Sequence, residues 1–210
     1  MADRTVSDED LMLRLQERRD EEAFNHLFVR YRGPITSYLY RLVGNRSEAE
    51  SLAQEAFLRV LEKAALYAYP KRFSTWFYTI ARNLATDFLK KKRAVITDDF
   101  QDLAEAYLAP SELDAERLAA WHEDLRRLTR ALADLPLVYR EVVVLRALQG
   151  LSYREIADIV ACPESTARSR MDYALGFLRK HYRRGRVAKT SGDSTGQAEK
   201  SEESADERPT

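Results

Sequence analysis

The stretch LSYREIADIVACPESTARSRMDYALGFLRK, residues 151–180, predicts two short helices joined by a tight turn. Ser152 and Glu155 have the spacing of a capping box, which predicts the start of the first helix. Pro163, directly after Cys162, predicts the start of the second helix. A helix-turn-helix uses this arrangement to place its second helix in a DNA major groove. The segment therefore predicts an all-α DNA-binding domain.

The second helix of this segment divides into two faces. The apolar face, which we expect to pack against the domain, consists of Ala167, Met171, Ala174, Leu175 and Leu178. The polar face consists of Glu164, Ser165, Arg168, Ser169 and Asp172. Arginine can pair bidentately with guanine, and hydroxyl groups can meet base edges or phosphates. An ordinary amphipathic surface helix is the alternative, but the short partner helix and the turn favour a DNA-reading helix.

The charges of the chain are segregated along its length. The 34 basic and 34 acidic residues give a formal net charge of zero. Basic residues nevertheless dominate residues 71–93, where Asp87 is the only acid, and they exceed acids again in residues 140–186. Residues 94–136 between these blocks are acidic. Because local fields govern association with nucleic acid, two basic modules around an acidic connector suit a DNA-binding protein.

Aromatic and cationic residues lie together in residues 71–83. The aromatic residues are Phe73, Trp76, Phe77 and Tyr78, and the cations are Lys71, Arg72 and Arg82. Such a combination forms a platform for unstacked bases, and the amide of Asn83 could read the edge of a flipped base. The alternative is that the aromatic residues belong to the core. We favour the core for Phe77 and leave both interpretations open for Trp76 and Tyr78.

Helical periodicity predicts a first domain over residues 1–93. A helix is expected to open at Ser7 with Asp10 as its capping partner and to run until Gly33 and Pro34 interrupt the pattern. Another capping pair, Ser47 and Glu50, predicts the start of a later helix. The residues that this later helix is expected to bury are Ala49, Leu52, Ala53, Phe57, Val60 and Leu61.

The remaining chain predicts a linker, a second domain and a tail. Residues 94–111 are acidic and form the expected linker. Residues 112–186 form the second domain, with helices over 112–135 and 138–148 separated by Pro136, followed by the helix-turn-helix. Residues 187–210 contain almost no large apolar side chain, and we expect a disordered tail.

Enzyme, metal and membrane functions find little support in the residues. The three histidines His26, His122 and His181 are scattered, and no metal-ligand spacing or glycine-rich phosphate loop is present. We expect no enzymatic activity and no cofactor. The single cysteine, Cys162, allows no internal disulfide, and no apolar run is long enough to span a membrane. We therefore expect a cytoplasmic protein.

Three motifs resemble the bacterial sigma factors of the extracytoplasmic-function (ECF) group. Residues 48–57, EAESLAQEAF, resemble the acidic segment that docks on the clamp coiled coil of core RNA polymerase. Residues 73–85, FSTWFYTIARNLA, resemble the segment that opens and reads the minus-ten promoter element. Residues 135–146, LPLVYREVVVLR, followed by the helix-turn-helix, resemble the reader of the minus-thirty-five element. The resemblance implies two all-α domains, sigma region 2 and sigma region 4, joined by the acidic linker.

The resemblance also implies partners and site residues. Contacts with the clamp coiled coil fall on Glu48, Glu50, Ser51, Gln54 and Glu55. The minus-ten contacts fall on Lys71, Arg72, Trp76, Tyr78, Arg82 and Asn83, with the 67–72 loop and Asn83 forming a base pocket. The minus-thirty-five contacts fall on Ser165, Thr166, Arg168, Ser169, Arg170 and Asp172. Core RNA polymerase and promoter DNA are the implied partners, together with an anti-sigma factor or another regulator.

Three positions depart from the family pattern. Ser51 stands where the family often carries an acid, which raises the hypothesis that phosphorylation supplies the missing charge. Ala161 stands where the turn often has glycine, and it predicts a slightly strained turn. Asp172 could accept a hydrogen bond from a cytosine amine, which suggests an unusual promoter.

Two other functions remain open at this level. A transcription activator with a similar helix-turn-helix would need neither the 73–85 segment nor core polymerase. A helical adaptor that binds only another protein would make no contact with DNA. Both alternatives differ from a sigma factor in their predicted binding to core polymerase.

Overall fold

The computed structural model describes residues 6–92 and 115–192, and every regular element in these ranges is helical. The first domain contains α1 (Asp8–Arg18), α2 (Glu21–Val43), α3 (Arg46–Glu62), a short 3-10 turn (Ala64–Leu66) and α4 (Phe73–Lys92). The second contains α5 (Ala115–Ala133), α6 (Leu137–Val143), a π-helical turn (Val144–Leu148), α7 (Tyr153–Val160) and α8 (Glu164–Gly192). The predicted all-α class with two helical domains is confirmed.

The first break in the helices lies at Arg19, not at the predicted Gly33–Pro34 step. Arg19 is left-handed, with φ 51°, and Asp20 caps α2 by accepting the N–H of Ala23 at 3.0 Å. Pro34 lies inside α2, where it removes one helical N–H donor. Ile35, Tyr38 and other residues that follow it are fully buried, and this packing outweighs the missing hydrogen bond.

The start of α3 also differs from the prediction. Asn45 is the N-cap, and its side chain accepts the N–H of Glu48 at 3.0 Å; the predicted cap, Ser47, lies inside the helix. Gly44 ends α2 in the left-handed region, with φ 76°. The glycine therefore allows a tight turn that brings Asn45 to the capping position.

Aromatic side chains fill the core of the first domain. Phe73 and Phe77 are fully buried, with ring centroids 5.5 Å apart, and Tyr31 packs edge-on against both. The prediction that Phe77 is a core residue is confirmed. The first turn of α4 is held by Glu9, whose carboxylate accepts the N–H of Phe73 at 3.1 Å. This contact fixes the direction in which α4 leaves the 67–72 loop.

The second domain is tied together, and to the first, by the guanidinium of Arg140. It donates to the carbonyl oxygens of Leu135 and Ala133 and, across the domain boundary, to that of Leu42 at 3.1 Å. Burial lowers the pKa of Arg140 to about 10. A guanidinium in this position satisfies carbonyl groups that helix ends leave without partners.

The ends of two helices differ from their predicted positions. The regular part of α6 ends at Val143, and the chain continues as the π-helical turn instead of as α-helix to residue 148. Helix α8 extends to Gly192, beyond the predicted domain end at residue 186, because Val187, Ala188 and Lys189 are compatible with a helix. Residues 187–192 of the predicted disordered tail are therefore helical. The predicted linker at 94–111 and the rest of the 187–210 tail lie outside the described residues.

Candidate nucleic-acid interface

The helix-turn-helix is formed by α7, the 161–163 turn and α8. The capping box is confirmed: Ser152 Oγ accepts the N–H of Glu155 at 3.3 Å, and Glu155 Oε2 accepts the N–H of Ser152 at 2.9 Å. Ala161 ends α7 with φ 53° and ψ 56°, in the left-handed region that alanine rarely adopts. The turn is therefore strained at the position where the sequence predicted strain.

The two faces of α8 are divided as predicted. Ala167, Met171 and Ala174 are buried, and Leu175 and Leu178 are half-buried against the core. Ser165, Arg168, Ser169 and Asp172 are exposed. Thr166 and Arg170 are half-buried, and an Arg170 guanidinium nitrogen lies 3.7 Å from Glu141. The helix thus presents a row of exposed polar side chains opposite its buried face.

The predicted minus-ten residues surround the start of α4 without forming one open platform. Lys71 and Arg72 are exposed in the loop, Asn83 is exposed on α4, and Trp76 is half-buried. The Trp76 ring packs against Tyr67, at 5.5 Å between centroids. Tyr67 donates its hydroxyl to the carbonyl oxygen of Lys71 and so closes the loop, and burial raises its pKa to about 12.

Tyr78 lies beneath the second domain. It is 2% exposed, its ring packs edge-on against Tyr38, and its hydroxyl donates to Gln149 Oε1 at 2.5 Å. Burial raises the pKa of Tyr78, so the phenol keeps the proton that it donates. In this arrangement Tyr78 belongs to the domain boundary and is not accessible to a base.

Two further residues that were predicted to contact the minus-ten element form ion pairs with the second domain. Arg82 on α4 pairs with Glu141 on α6, with 3.0 Å between Nε and Oε2. Arg72 in the loop pairs with Glu155 on α7, also at 3.0 Å. Because Glu155 also belongs to the capping box of α7, the loop of one domain contacts the helix-turn-helix of the other directly. The two domains that carry the predicted DNA contacts are thus closed on each other.

The boundary between the domains carries buried polar groups. Glu141 is 1% exposed, and burial raises its pKa although Arg82 and Arg170 oppose the shift. The hydroxyl of Tyr38 is buried without a hydrogen-bond partner. A buried polar group without a partner costs about 1–3 kcal/mol, so this boundary is less stable than an apolar interface of the same size. Its composition is compatible with domains that separate.

A cavity of about 750 Å³ lies beside the 67–72 loop at the domain boundary. Residues from the loop and from α4 line it, including Tyr69, Pro70, Arg72 and Tyr78, and Gln149 lines it from the second domain. Asn83, which was predicted to share a base pocket with the loop, is not among the lining residues. The closed arrangement therefore brings the loop and Tyr78 together but leaves Asn83 elsewhere on the exposed face of α4.

Three of the five predicted clamp contacts on α3 are exposed, and the three carboxylates form ion pairs. Ser51 and Gln54 are exposed, while Glu50 pairs with Arg46 at 3.0 Å, Glu55 with Arg59 at 2.8 Å and Glu48 with Lys92 at 3.8 Å. Surface pairs of this kind contribute little to stability, so the carboxylates remain available to a partner.

The same face of α3 continues with apolar residues that the sequence reasoning missed. Leu58 is 54% exposed and Leu61 is 44% exposed, and both follow Ser51 and Gln54 at helical spacing. The prediction that Leu61 is buried is therefore wrong. Its helical spacing from Gln54, an exposed position, was a signal that could have identified it.

Comparison with known proteins identifies the family. Residues 27–95 match the family model for sigma-70 region 2, and residues 125–177 match the model for sigma-70 region 4. The chain is 34% identical over 174 residues to the ECF RNA polymerase sigma factor RpoE of Cereibacter sphaeroides, covering 81% of this chain and 92% of that relative. It is 33% identical to the sigma-E factor of Escherichia coli K12 over 172 residues, covering 79% and 89% of the two chains.

Solved structures agree with this assignment at the level of the fold. CnrH, solved in complex with the cytosolic domain of CnrY, has a TM-score of 0.62 at 19% identity, over 82% of this chain and 95% of that one. RpoE of Bartonella quintana, solved with the anti-sigma factor NepR, has a TM-score of 0.61 at 21% identity, over 76% and 96%. The chain belongs to the ECF group of the sigma-70 family.

Within residues 6–92 and 115–192, no group of histidine, cysteine or acidic side chains is arranged to hold a metal ion. No helix in the same ranges is long and apolar enough to cross a membrane.

Proposed function

We propose that this sigma factor directs core RNA polymerase to promoters through three of its surfaces. The polar face of α8 reads the minus-thirty-five element, the 67–72 loop with α4 captures the opened minus-ten element, and α3 docks on the clamp coiled coil. The observation that carries the proposal is the exposure of Arg168, Ser165 and Ser169 on a helix whose opposite face is buried. Promoter opening follows from binding, without chemistry at protein residues, in the cytoplasm where the polymerase works.

The α8 surface combines side chains suited to both base and phosphate. Arg168 can offer two donors to one guanine, a contact that contributes about 1–3 kcal/mol of discrimination. Ser165 and Ser169 lie on the same face, where their hydroxyls can meet bases or phosphates. Asp172 repels phosphate but can accept from a cytosine amine. These chemistries favour a G/C-containing contact site.

Recognition of the minus-ten element requires the two domains to separate. Three of its proposed contacts, Arg72, Tyr78 and Arg82, are held by Glu155, Gln149 and Glu141 of the second domain. DNA phosphates can replace the two carboxylates as partners of the arginines, and separation exposes the ring of Tyr78. We therefore interpret the closed arrangement as the resting form and an opened arrangement as the promoter-binding form.

The α3 surface supplies both charge and apolar area to polymerase. The carboxylates of Glu48, Glu50 and Glu55 suit basic groups on the clamp, and the exposed Leu58 adds apolar contact. Apolar area that leaves water on binding adds affinity, while the charges steer association.

An anti-sigma factor is proposed as a further partner. The two solved structures with the same fold hold the cytosolic domain of CnrY and the anti-sigma factor NepR. A regulator that favours the closed arrangement would keep Arg72, Tyr78 and Arg82 in contact with the second domain and away from the minus-ten element. It would therefore lower promoter binding without occupying the face of α8 itself.

Run-off transcription with purified core polymerase tests the proposal. The template is the region upstream of the chain's own gene, since such factors often drive their own expression. We expect a discrete transcript that requires this protein and is lost with Asn83→Ala and with Arg168→Ala. Binding to core polymerase is measured in the same samples. A protein that binds promoter DNA without core polymerase would instead be an activator, and one that binds neither would be an adaptor.

A further inference from the structure

The ring of Tyr153, the first residue of α7, holds two arginines of the helix-turn-helix. The guanidinium carbon of Arg168 lies 4.6 Å from the ring centroid, and that of Arg146 lies 5.1 Å from it. Tyr153 itself is half-buried against the core, so the position of the ring is fixed, whereas both arginines are exposed. A half-buried ring beneath exposed cations distinguishes this contact from a chance encounter of two surface side chains.

Each arginine has a second anchor besides the ring. Arg168 Nη2 lies 2.5 Å from Glu164 Oε1, and Arg146 Nη1 donates to the carbonyl oxygen of Leu151 at 2.8 Å. A guanidinium has five N–H donors along its edge, while stacking uses only its face. Both groups are therefore oriented but retain donors for a ligand.

The charges around the ring favour an anionic ligand. Two cations converge on one aromatic ring. Among the described ion pairs of these two arginines, the acidic partner is Glu164, which pairs with Arg168. The pair thus leaves positive charge beside the start of α8, where a DNA phosphate would be expected.

We propose that Tyr153 is a positioning residue for promoter recognition. Its ring orients Arg168 for readout of a base and Arg146 for contact with a phosphate, before DNA arrives. A long side chain that is already oriented loses less rotamer entropy on binding, so the ring strengthens discrimination without touching DNA. This inference rests on the proposed role of α8 as the minus-thirty-five reader.

A double-mutant cycle on the holoenzyme tests the proposal. The variants are Tyr153→Leu, Tyr153→Phe, Arg168→Ala and Tyr153→Leu with Arg168→Ala. Dissociation constants are measured for the cognate promoter duplex and for the same duplex with its minus-thirty-five element scrambled. Discrimination is the dissociation constant for the scrambled duplex divided by that for the cognate duplex. We expect Tyr153→Leu to lower this ratio about two- to fivefold, the effect of losing an exposed cation–π contact. Tyr153→Phe, which keeps the ring, retains the wild-type ratio.

The outcome in the Arg168→Ala background decides between the possibilities. We expect no further loss of discrimination when Tyr153→Leu is added to Arg168→Ala. An equal loss in both backgrounds, or no loss with Tyr153→Leu alone, overturns the role of Tyr153 and leaves the role of α8 intact. Unchanged discrimination in Arg168→Ala itself overturns the α8 proposal as well. Tyr173→Leu, which removes an exposed tyrosine that stacks on Tyr139, is the control and keeps wild-type discrimination.

Discussion

Arg82 on α4 donates hydrogen bonds of 3.0 and 3.5 Å to the two carboxylate oxygens of Glu141 on α6, across the boundary between the domains. The Glu141 side chain is 1% exposed and that of Arg82 is 22% exposed. Taking a carboxylate out of water is costly, and a buried pair recovers that cost only while both partners remain in place. Closure of the domains is therefore coupled to the charge of one carboxyl group.

The contribution of Glu141 to the stability of the closed arrangement is expected to grow as the pH falls towards the carboxyl range. Burial raises the pKa of Glu141 above its ordinary value, although Arg82 and Arg170 oppose the shift. Because the pKa is higher in the closed form than in the open form, closing takes up a proton. This contribution is fully present below the ordinary carboxyl pKa and is lost as the pH rises through the raised value. Energy transfer between dyes at Glu17→Cys and Lys180→Cys, in a Cys162→Ser background, measures closure.

Glu141→Gln serves as the control for this pH dependence. The amide cannot titrate, so the difference between wild type and Glu141→Gln isolates the contribution of Glu141. Glu155 acts in the opposite direction: burial opposes the change, but hydrogen bonds from Ser152 and the charge of Arg72 lower its pKa. That contribution is common to both proteins. Identical pH slopes in wild type and variant would show that Glu141 does not control closure.

Arg168→Ala is expected to reduce promoter discrimination by about 1–3 kcal/mol, because it removes a bidentate base contact. Binding of the holoenzyme to cognate and scrambled minus-thirty-five duplexes measures this loss. Arg179→Ala is the matched control, since Arg179 is exposed on the same face of α8, three turns further along. We expect Arg179→Ala either to leave binding unchanged or to weaken binding to both duplexes equally. A loss of discrimination with Arg179→Ala of the same size would contradict the assignment.

Ala161→Gly is expected to stabilise the protein by about 1 kcal/mol, because it relieves a left-handed alanine. The midpoint of urea unfolding measures the change. Ala157→Gly, a glycine placed within α7, is the comparison and should destabilise by about 1 kcal/mol. An unfolding midpoint that does not rise in Ala161→Gly would mean that the turn is not strained.

Ser51→Asp is expected to bind core polymerase more tightly than wild type, because it supplies the charge that the family often carries at this exposed position. Ser51→Ala should bind like the unphosphorylated protein in vitro and be less active in cells if phosphorylation occurs. Affinity for core polymerase and reporter activity in cells are the two readouts. The hypothesis fails when Ser51→Ala is fully active in cells and Ser51→Asp gains no affinity.

Local signals explain how much of this fold could be predicted from the sequence. The capping box at Ser152, the apolar stripe through Ala167 and Met171, and the strain at Ala161 are set by neighbouring residues. The start of α3 was misplaced because Asn45 and Ser47 are both good caps, and the turn at Gly44 decided between them. The helix break predicted at Pro34 is absent for the opposite reason. Burial of α2 stabilises the helix by more than the proline destabilises it.

Contacts between the domains could not be predicted from local signals. Tyr78 and Arg82 have the residue types of a nucleic-acid platform, and their partners Gln149 and Glu141 lie far along the chain. Helical periodicity reports which face of a helix is buried but not which element buries it. For the same reason the sequence gives no indication that Asn83 lies apart from the cavity beside the 67–72 loop.

The separation of the two domains on core polymerase is the most direct test of this account. Energy transfer between the dyes at Glu17→Cys and Lys180→Cys is measured for the free protein, with core polymerase and with promoter DNA added, and transcription is assayed in the same samples. We expect high transfer in the free protein and a large decrease in the transcribing complex. Unchanged high transfer in a complex that makes the specific transcript would contradict the claim that the contacts of Glu141 and Glu155 must open for promoter recognition.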